Sequence, residues 1–378
     1  MAAKSQPTRR PQRHVLICNW RDTRNPEGGG SERFVEEVAL GLVERGDRVT
    51  VFCAAHAQAP RDEVRDGIRF VRRGDKLAVY AFAFLNLLLH RFGRVDLVVD
   101  VQNGLPFFTR LATRKPVVVV VHHVHREQWP VVYPGLVGKI GWWIESWLAP
   151  RLYRRSRYVA VSTATRDELV ALGVDRHRIS IVHNGTDPSP SVDVERSTHP
   201  SLCVVGRLVP HKQVEHGIDA VTALTELPDL TLTVVGDGWW EQELRDYAAA
   251  RGVADRVTFT GFVDERAKHA VYASSWLMLL PSLKEGWGLV VGEAGSHSTP
   301  TVAYRSAGGT QESIDDGDSG VLVEDHAEFI AAVRHLLADH ALRERLGKGA
   351  LDKSRAFTWA QTREGFASVL AKPSRSHV

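Results

Sequence analysis

The sequence predicts an α/β protein built from two doubly wound, Rossmann-like domains, and three observations carry that prediction. Short β-branched runs alternate with segments of helical period along the whole chain, as parallel βαβ units require. The alternation restarts after a Pro-, Ser- and Thr-rich stretch, TDPSPSVDVERSTHPS, between Thr186 and Ser201. The 378 residues also exceed what a single core usually supports. The reading is a basic tail over 1–13, a first domain over 14–190 and a second over 191–357, with a last helix at about 358–372 packing back on the first domain.

Composition narrows the class. Apolar residues make up 43% and charged residues 25%, ordinary values for a globular protein, and a net charge of +3 is too small for a general nucleic-acid binder. Cys18, Cys53 and Cys203 all fall in strand-like apolar runs. An odd count without metal-ligand spacing predicts a reducing compartment and no structural zinc. The longest apolar run, Leu77 to Leu89, is broken by Asn86 and falls short of the ~20 residues a bilayer needs. The basic start leads only into VLIC before polar residues return, so no secretory leader is expected and the cytoplasm is the predicted location.

In chain order, His14 to Trp20 reads as the first strand. A polar loop, RDTRNPEGGGSE, follows it, and Phe34, Val35, Val38, Ala39 and Leu42 then recur at helical spacing until Gly46. Gly28 to Gly30 thus fall at a helix N-terminus, where backbone N–H groups favour anions. The spacing is not that of a dinucleotide-binding G-x-G-x-x-G, which argues against a dehydrogenase. Further strands are expected at Arg48 to Ala54, Asp96 to Gln102, Pro116 to His123 and Tyr158 to Ser162. The all-valine run at 117–121 belongs in a sheet centre covered on both faces. It ends in HHVHREQW, which offers histidines to a ligand hydroxyl or phosphate. A metal held by His123 and His125 lacks an evident third ligand, so no metal site is expected.

Two apolar segments interrupt this pattern. Leu77 to Leu89 reads as a core helix, or else as a hydrophobic wall for an acceptor. Between Pro134 and Tyr158, Trp142, Trp143 and Trp147 lie among Leu136, Ile140, Ile144 and Leu148, followed by Arg151, Arg154, Arg155 and Arg157. We read this as a helix buried beside the sheet with its arginines snorkelling. A peripheral membrane contact through 136–157, at the inner membrane face, is the second reading.

Ser162 is placed to cap the helix TATRDELVALG, and Arg178 to His183 is the next strand, closed by Asn184-Gly185. In the second half, strands at Leu202 to Gly206, Leu230 to Gly236, Val257 to Gly261 and Trp276 to Leu280 each end in a loop of chemical interest. The first loop carries Arg207 and Lys212, spaced to grip one diphosphate. The second carries Gly236, Asp237 and Gly238, and the third Gly261, Phe262 and Val263. In the fourth, PSLKEGWGLVVGEA, Glu285 and Glu293 bracket Gly286-Trp287-Gly288 with a helix starting near Leu289. Two carboxylates beside backbone amides suit a polyhydroxylated, phosphate-bearing ligand, and these loops should meet on one edge of a single sheet. Asp316-Gly317-Asp318 imitates an Asp-x-Asp metal motif, but its flanks, DDGDSG, read as a turn. Three helical patterns end the chain.

Taken together, GGGSE, VSTATRDELVALGV, IVHNGTD, VVGRLVPHKQ, VVGDG, FTGFV and PSLKEGWGLVVGEAGSHSTPTVAY, in that order, resemble the retaining glycosyltransferases of family 4, glycosyl transferases group 1. The resemblance spans nearly the whole chain. It implies the GT-B fold, two Rossmann-like domains facing across a cleft, and transfer of a sugar from a nucleotide-diphosphate sugar to an acceptor hydroxyl. By this resemblance Arg207 and Lys212 bind the donor diphosphate, Glu293 the ribose, and Glu285 with the amides of Gly286, Trp287, Gly288 and Leu289 the transferred sugar. Gly29 and Gly30 serve phosphate and acceptor, while Gly236, Asp237 and Val263 border the base. His122 matches the family's donor-sugar histidine, with adjacent His123 leaving the register open. The chain departs from the family at Gln213, where Gly or Asn is common, and at Trp287, where Phe is common and the sugar pocket would change.

The implied donor is a UDP- or GDP-sugar with no cofactor required, and the departing diphosphate would act as base. The implied acceptor is a small molecule, a saccharide or a lipid-linked sugar. A nucleotide-sugar epimerase, a sugar phosphorylase and a non-catalytic nucleotide-sugar binder share the fold and stand as alternatives.

Overall fold

The computed structural model describes residues 12–371; the greater part of the basic tail and the end of the chain, 372 included, lie outside it. Fourteen strands form two sheets. The first comprises β1 (His14–Cys18), β2 (Arg48–Cys53), β3 (Asp62–Arg65), β4 (Ile68–Arg72), β5 (Leu97–Gln102), β6 (Val117–Val121), β7 (Arg157–Ala160) and β8 (Ile179–Ile181), in the order β3-β4-β2-β1-β5-β6-β7-β8. The pairs β1–β2, β1–β5 and β2–β4 are parallel, and the edge strand β3 pairs antiparallel with β4. Every residue of β1 and β6 is buried, as expected of strands covered on both faces.

The second sheet holds β9 (Ser201–Val205), β10 (Thr231–Val235), β11 (Val257–Gly261), β12 (Leu277–Leu280), β13 (Thr301–Tyr304) and β14 (Gly320–Val323), in the order β11-β10-β9-β12-β13-β14. Counted from β9 this is 3-2-1-4-5-6, all parallel, so the order reverses between β9 and β12. Its side chains alternate between two apolar layers. Leu202, Val204, Leu232, Val234, Leu277 and Leu279 fill one face, and Cys203, Val205, Val235, Met278 and Leu280 the other.

Two compact units emerge. Within the described residues, one takes everything up to 120 together with 152–158 and 363 onward; the other takes 121–151 and 159–362. In the first, the helix Gly30–Glu44 buries Phe34, Val35, Val38, Ala39 and Leu42. The last helix, Trp359–Ala371, reaches it through Arg363, whose guanidinium binds Glu37 at 2.6 Å and Glu44 at 2.5 Å, and through an edge-on contact of Phe366 with Phe34. Gly41 lets Arg363 in, since a Cβ there would stand 2.6 Å from the arginine's Cβ.

Several expectations need correction. The hairpin β3–β4 was not expected, because Asp62–Arg65 is polar and half exposed and so has no apolar period. β13 also lacked a strong sequence signal of its own. The helix at Ala78–Leu88 is not a core helix: it buries only Val79, Ala83 and Leu87 and leaves Leu77, Phe82, Leu85, Leu88 and Leu89 in solvent.

The tryptophan segment also reverses our preferred reading. Its helical residues 136–152 turn Leu136, Val137, Ile140, Trp143 and Trp147 outward and Gly138, Gly141, Glu145 and Ala149 inward. At Ile144–Leu148 the helix widens to a π turn, with the amide of Ala149 bonding to the carbonyl of Ile144. Pro150, which has no N–H and clashes with a carbonyl four residues back, follows immediately.

Candidate active site

The site is built where the strand order of the second sheet reverses. After β9 the chain enters the loop with Arg207 and Lys212; after β12, the loop with Glu285 and Gly286. Their neighbours hold both by backbone contacts. Gly206 N–H donates to Val235 O at 3.0 Å and Leu208 N–H to Asp237 O at 2.8 Å. A Cβ on Gly236 would lie 2.0 Å from Gly206 O, and one on Gly238 2.1 Å from Leu208 O, so no side chain fits at either position. The glycines after β10 thus let two loops pack main chain to main chain.

The loop after β12 is fixed in the same way. Glu285 N–H donates to Ala307 O at 2.8 Å, and Gly309 N–H to Glu285 O at 3.0 Å. Gly288, at φ 84°, caps the helix Leu289–Gly295, whose first amides lack acceptors within the helix. A Cβ on Gly286 would meet the carbonyl of His122 at 2.3 Å. That carbonyl also accepts the Thr165 hydroxyl at 2.9 Å, while Ser162 caps the helix Thr163–Ala171 as expected. Further along, Lys284 pairs with Glu168, and Glu312 receives Thr163 and, at 3.0 Å, His183.

Several of the side chains singled out in the sequence lie on or beside these loops. Lys212 Nζ lies 2.5 Å from Glu285 Oε1, while Arg207 is exposed on the same loop. Glu293, one turn into its helix, accepts from Tyr272 Oη at 2.9 Å and pairs with Lys268 at 3.1 Å. Gln213, just after Lys212, takes the left-handed conformation at φ 49°. This gives the departure from the family a physical meaning, since Gly and Asn are the residues that adopt that conformation readily.

Three histidines surround this edge. Burial lowers the His122 pKa to about 3 and that of His123 well below its usual range, with the charge of His125 adding to both. His123 Nε2 meets Gln128 Oε1 at 3.1 Å, and His125 Nδ1 meets Glu145 Oε1 at 3.0 Å. His122 is therefore a neutral imidazole near pH 7, able to hydrogen-bond a hydroxyl but not to balance charge.

His211 was missed by sequence reasoning. It is half buried between Arg207 and Lys212 in sequence, and its buried Nδ1 has no hydrogen-bond partner among the described residues. Burial first, then Lys212 and Arg207, lowers its pKa to about 4. Only its place within LVPHKQ could have pointed to it.

Other predicted residues fall into place more simply. Asp237 is exposed at the turn after β10, and Val263 packs half buried against the second sheet. Trp287 is 4% exposed, with its indole packed against His183 and Phe357. Gly29 and Gly30 lie in the other compact unit, at the N-cap and first residue of Gly30–Glu44, where Glu32 closes the cap by accepting from Gly29 N–H at 2.8 Å.

No cluster of three or more His, Cys, Asp or Glu among the described residues is arranged to hold a metal ion. Asp316 is spent on Arg305 and the amide of Leu322, as a turn residue would be.

Fold and site together define a two-sheet α/β protein with a cationic loop and a carboxylate loop where the strand order of its second sheet reverses. Residues 28–190 match the model of glycosyltransferase family 4 and residues 189–353 that of glycosyl transferases group 1. The chain is 30% identical to D-inositol 3-phosphate glycosyltransferase of Xylanimonas cellulosilytica, over 92% of this chain and 93% of that one. Among solved structures it resembles sucrose-phosphate synthase of Thermosynechococcus elongatus, with a TM-score of 0.80, 18% identity and coverage of 95% and 98%. It also resembles Anabaena HepE in complex with UDP-glucose, with a TM-score of 0.73, 19% identity and coverage of 95% and 99%. The chain belongs to the family-4, group-1 glycosyltransferases and has their GT-B fold.

Proposed function

We propose that this glycosyltransferase takes its sugar from a nucleotide-diphosphate sugar, a UDP- or GDP-sugar, and transfers it with retention of anomeric configuration. The observation that carries the reading is the pairing of Lys212 with Glu285 at the reversal between β9 and β12, with Arg207 exposed on the same loop as Lys212. In this reading Arg207 and Lys212 hold the diphosphate, and Glu293 accepts from the ribose hydroxyls. Glu285 and the amides of Gly286 to Leu289 hold the sugar, with His122 donating to a hydroxyl. The C1–O bond to the diphosphate breaks as the acceptor oxygen bonds to C1 on the same face. The acceptor proton passes to a diphosphate oxygen, so no side chain need act as nucleophile or base. The protein's part is electrostatic: two cations stabilise the charge that develops on the leaving group.

The bound UDP-glucose of HepE and the phosphorylated acceptor named for the Xylanimonas relative are consistent with such a donor and with an acceptor hydroxyl. The acceptor in this reading is a small molecule, a saccharide or a lipid-linked sugar that offers a free hydroxyl. Three buried thiols fit a reducing, cytoplasmic setting. A thermal-shift panel of UDP-, GDP-, ADP- and dTDP-sugars should show one donor raising the melting temperature, because a ligand of the native state stabilises it. The product's anomeric coupling constant then tests retention, and an inverted product sinks the mechanism. Sugar conversion without any acceptor would instead select the epimerase reading. Activity should survive a chelator, as expected if no metal or other cofactor is required.

A further inference from the structure

We propose that the outward face of the helical segment 136–152 docks on an anionic lipid surface. This inference is independent of the donor chemistry. The segment is built inside out for a buried helix. Its inner face is made of small residues: a Cβ on Gly141 would stand 2.3 Å from the Trp129 ring, and one on Gly138 2.1 Å from Tyr133 O. Glu145, also turned inward, is buried and satisfied by Trp129 Nε1 at 2.6 Å and His125 Nδ1 at 3.0 Å. Trp142, Ile144 and Leu148 are half buried along the flanks, and on the outward side Leu136, Val137, Ile140, Trp143 and Trp147 are between 44% and 71% exposed.

The stripe runs past the π turn. Trp143 and Trp147 stack with ring centroids 5.3 Å apart, and the Arg151 guanidinium lies 4.3 Å from the Trp147 ring centre.

Charge identifies the occupant. Between 126 and 151 the exposed ionisable side chains are Arg126, Lys139 and Arg151. The two carboxylates of that stretch are turned in: Glu145 is buried, and Glu127 is half buried with Oε2 out of solvent. An apolar stripe with two tryptophans, ringed by cations and free of exposed carboxylates, matches an anionic headgroup layer over hydrocarbon. No helix among the described residues is long and apolar enough to cross a membrane, so this contact would be peripheral.

Co-sedimentation of the full chain with phosphatidylglycerol–phosphatidylcholine vesicles tests the proposal, with pure phosphatidylcholine vesicles as the control. Wild type should pellet with the anionic vesicles at low salt, with a blue shift of tryptophan emission, and bind the neutral ones far less. Trp143→Ser/Trp147→Ser, which alters only exposed side chains, should lose about tenfold or more in partitioning. Arg151→Glu should lose about fivefold or more, and on anionic vesicles only. Circular dichroism and melting temperature should stay at the wild-type values. The proposal is overturned if wild type remains in the supernatant, or if the double tryptophan variant pellets as well as wild type. It is equally overturned if the face proves to cover a second copy, seen as a dimer in sedimentation velocity that the double variant abolishes while vesicles go unbound.

Discussion

The loops after β1 and after β9 occupy the same place in their sheets, each following its first strand, yet they spend their charges in opposite ways. After β1, ions hold the loop. Asp22 is buried and receives Arg72 Nε at 2.6 Å, His56 Nε2 at 3.0 Å and the amides of Arg24 and Asn25 at 3.1 Å. Arg72, with no exposed surface, adds Glu63 at 2.9 Å and Pro60 O at 2.8 Å. After β9, backbone amides and close glycine contacts hold the loop, Lys212 reaches across to Glu285 on the next loop, and Arg207 is exposed. A loop fixed by its main chain does not need its side-chain charges to hold its shape; a loop fixed by charge does.

The largest effect should come from breaking the ionic loop. Arg72→Ala leaves Asp22 and Glu63 without their cation and should destabilise the fold by about 3–5 kcal/mol, read as a shift in urea midpoint. Survival at wild-type stability would show that the first loop does not depend on its ions. Lys212→Ala should do the reverse, keeping the melting temperature while lowering kcat about a hundredfold. A wild-type kcat would remove Lys212 from the donor site.

Acid should sharpen the contrast further. The His211 pKa in the folded chain, about 4, lies below its ordinary 6.5, so in that window mainly the unfolded chain takes up the proton. Stability should therefore fall as pH drops from 6.5 toward 4, and His122 acts in the same direction with its pKa near 3. His211→Asn should flatten the profile of urea midpoint against pH between 6.5 and 5; an unchanged slope would mean that His211 is not held neutral. The smallest change is Gln213→Gly, which relieves the left-handed residue and should stabilise by about 1 kcal/mol or less. Nucleotide affinity should be unaltered in calorimetry.

The sequence disclosed what depends on local chemistry. Strand-end glycines, the Arg207–Lys212 spacing and the pair Glu285 and Glu293 were readable because each sits in a loop between strongly patterned elements. Orientation was not readable. The helical period of Leu136, Ile140, Trp143 and Trp147 shows that one face is apolar but not which way it faces, and only the glycines opposite it, read as packing positions, hinted at the answer. Asp62–Arg65 gave no strand signal, because a polar edge strand is specified by its partner. His211 escaped because a single histidine between two cations looks like surface, and its burial comes from neighbours distant in the chain.

The contact between Gly286 and His122 has a consequence for changing donor choice. The atom that a Cβ at 286 would strike is a main-chain carbonyl oxygen, which stays in place whatever side chain stands at 122. No substitution at 122 can therefore make room for a larger residue at 286. A library that varies the side chain at 122 must therefore still keep glycine at 286, because the constraint on 286 comes from the main chain of residue 122 and not from its imidazole.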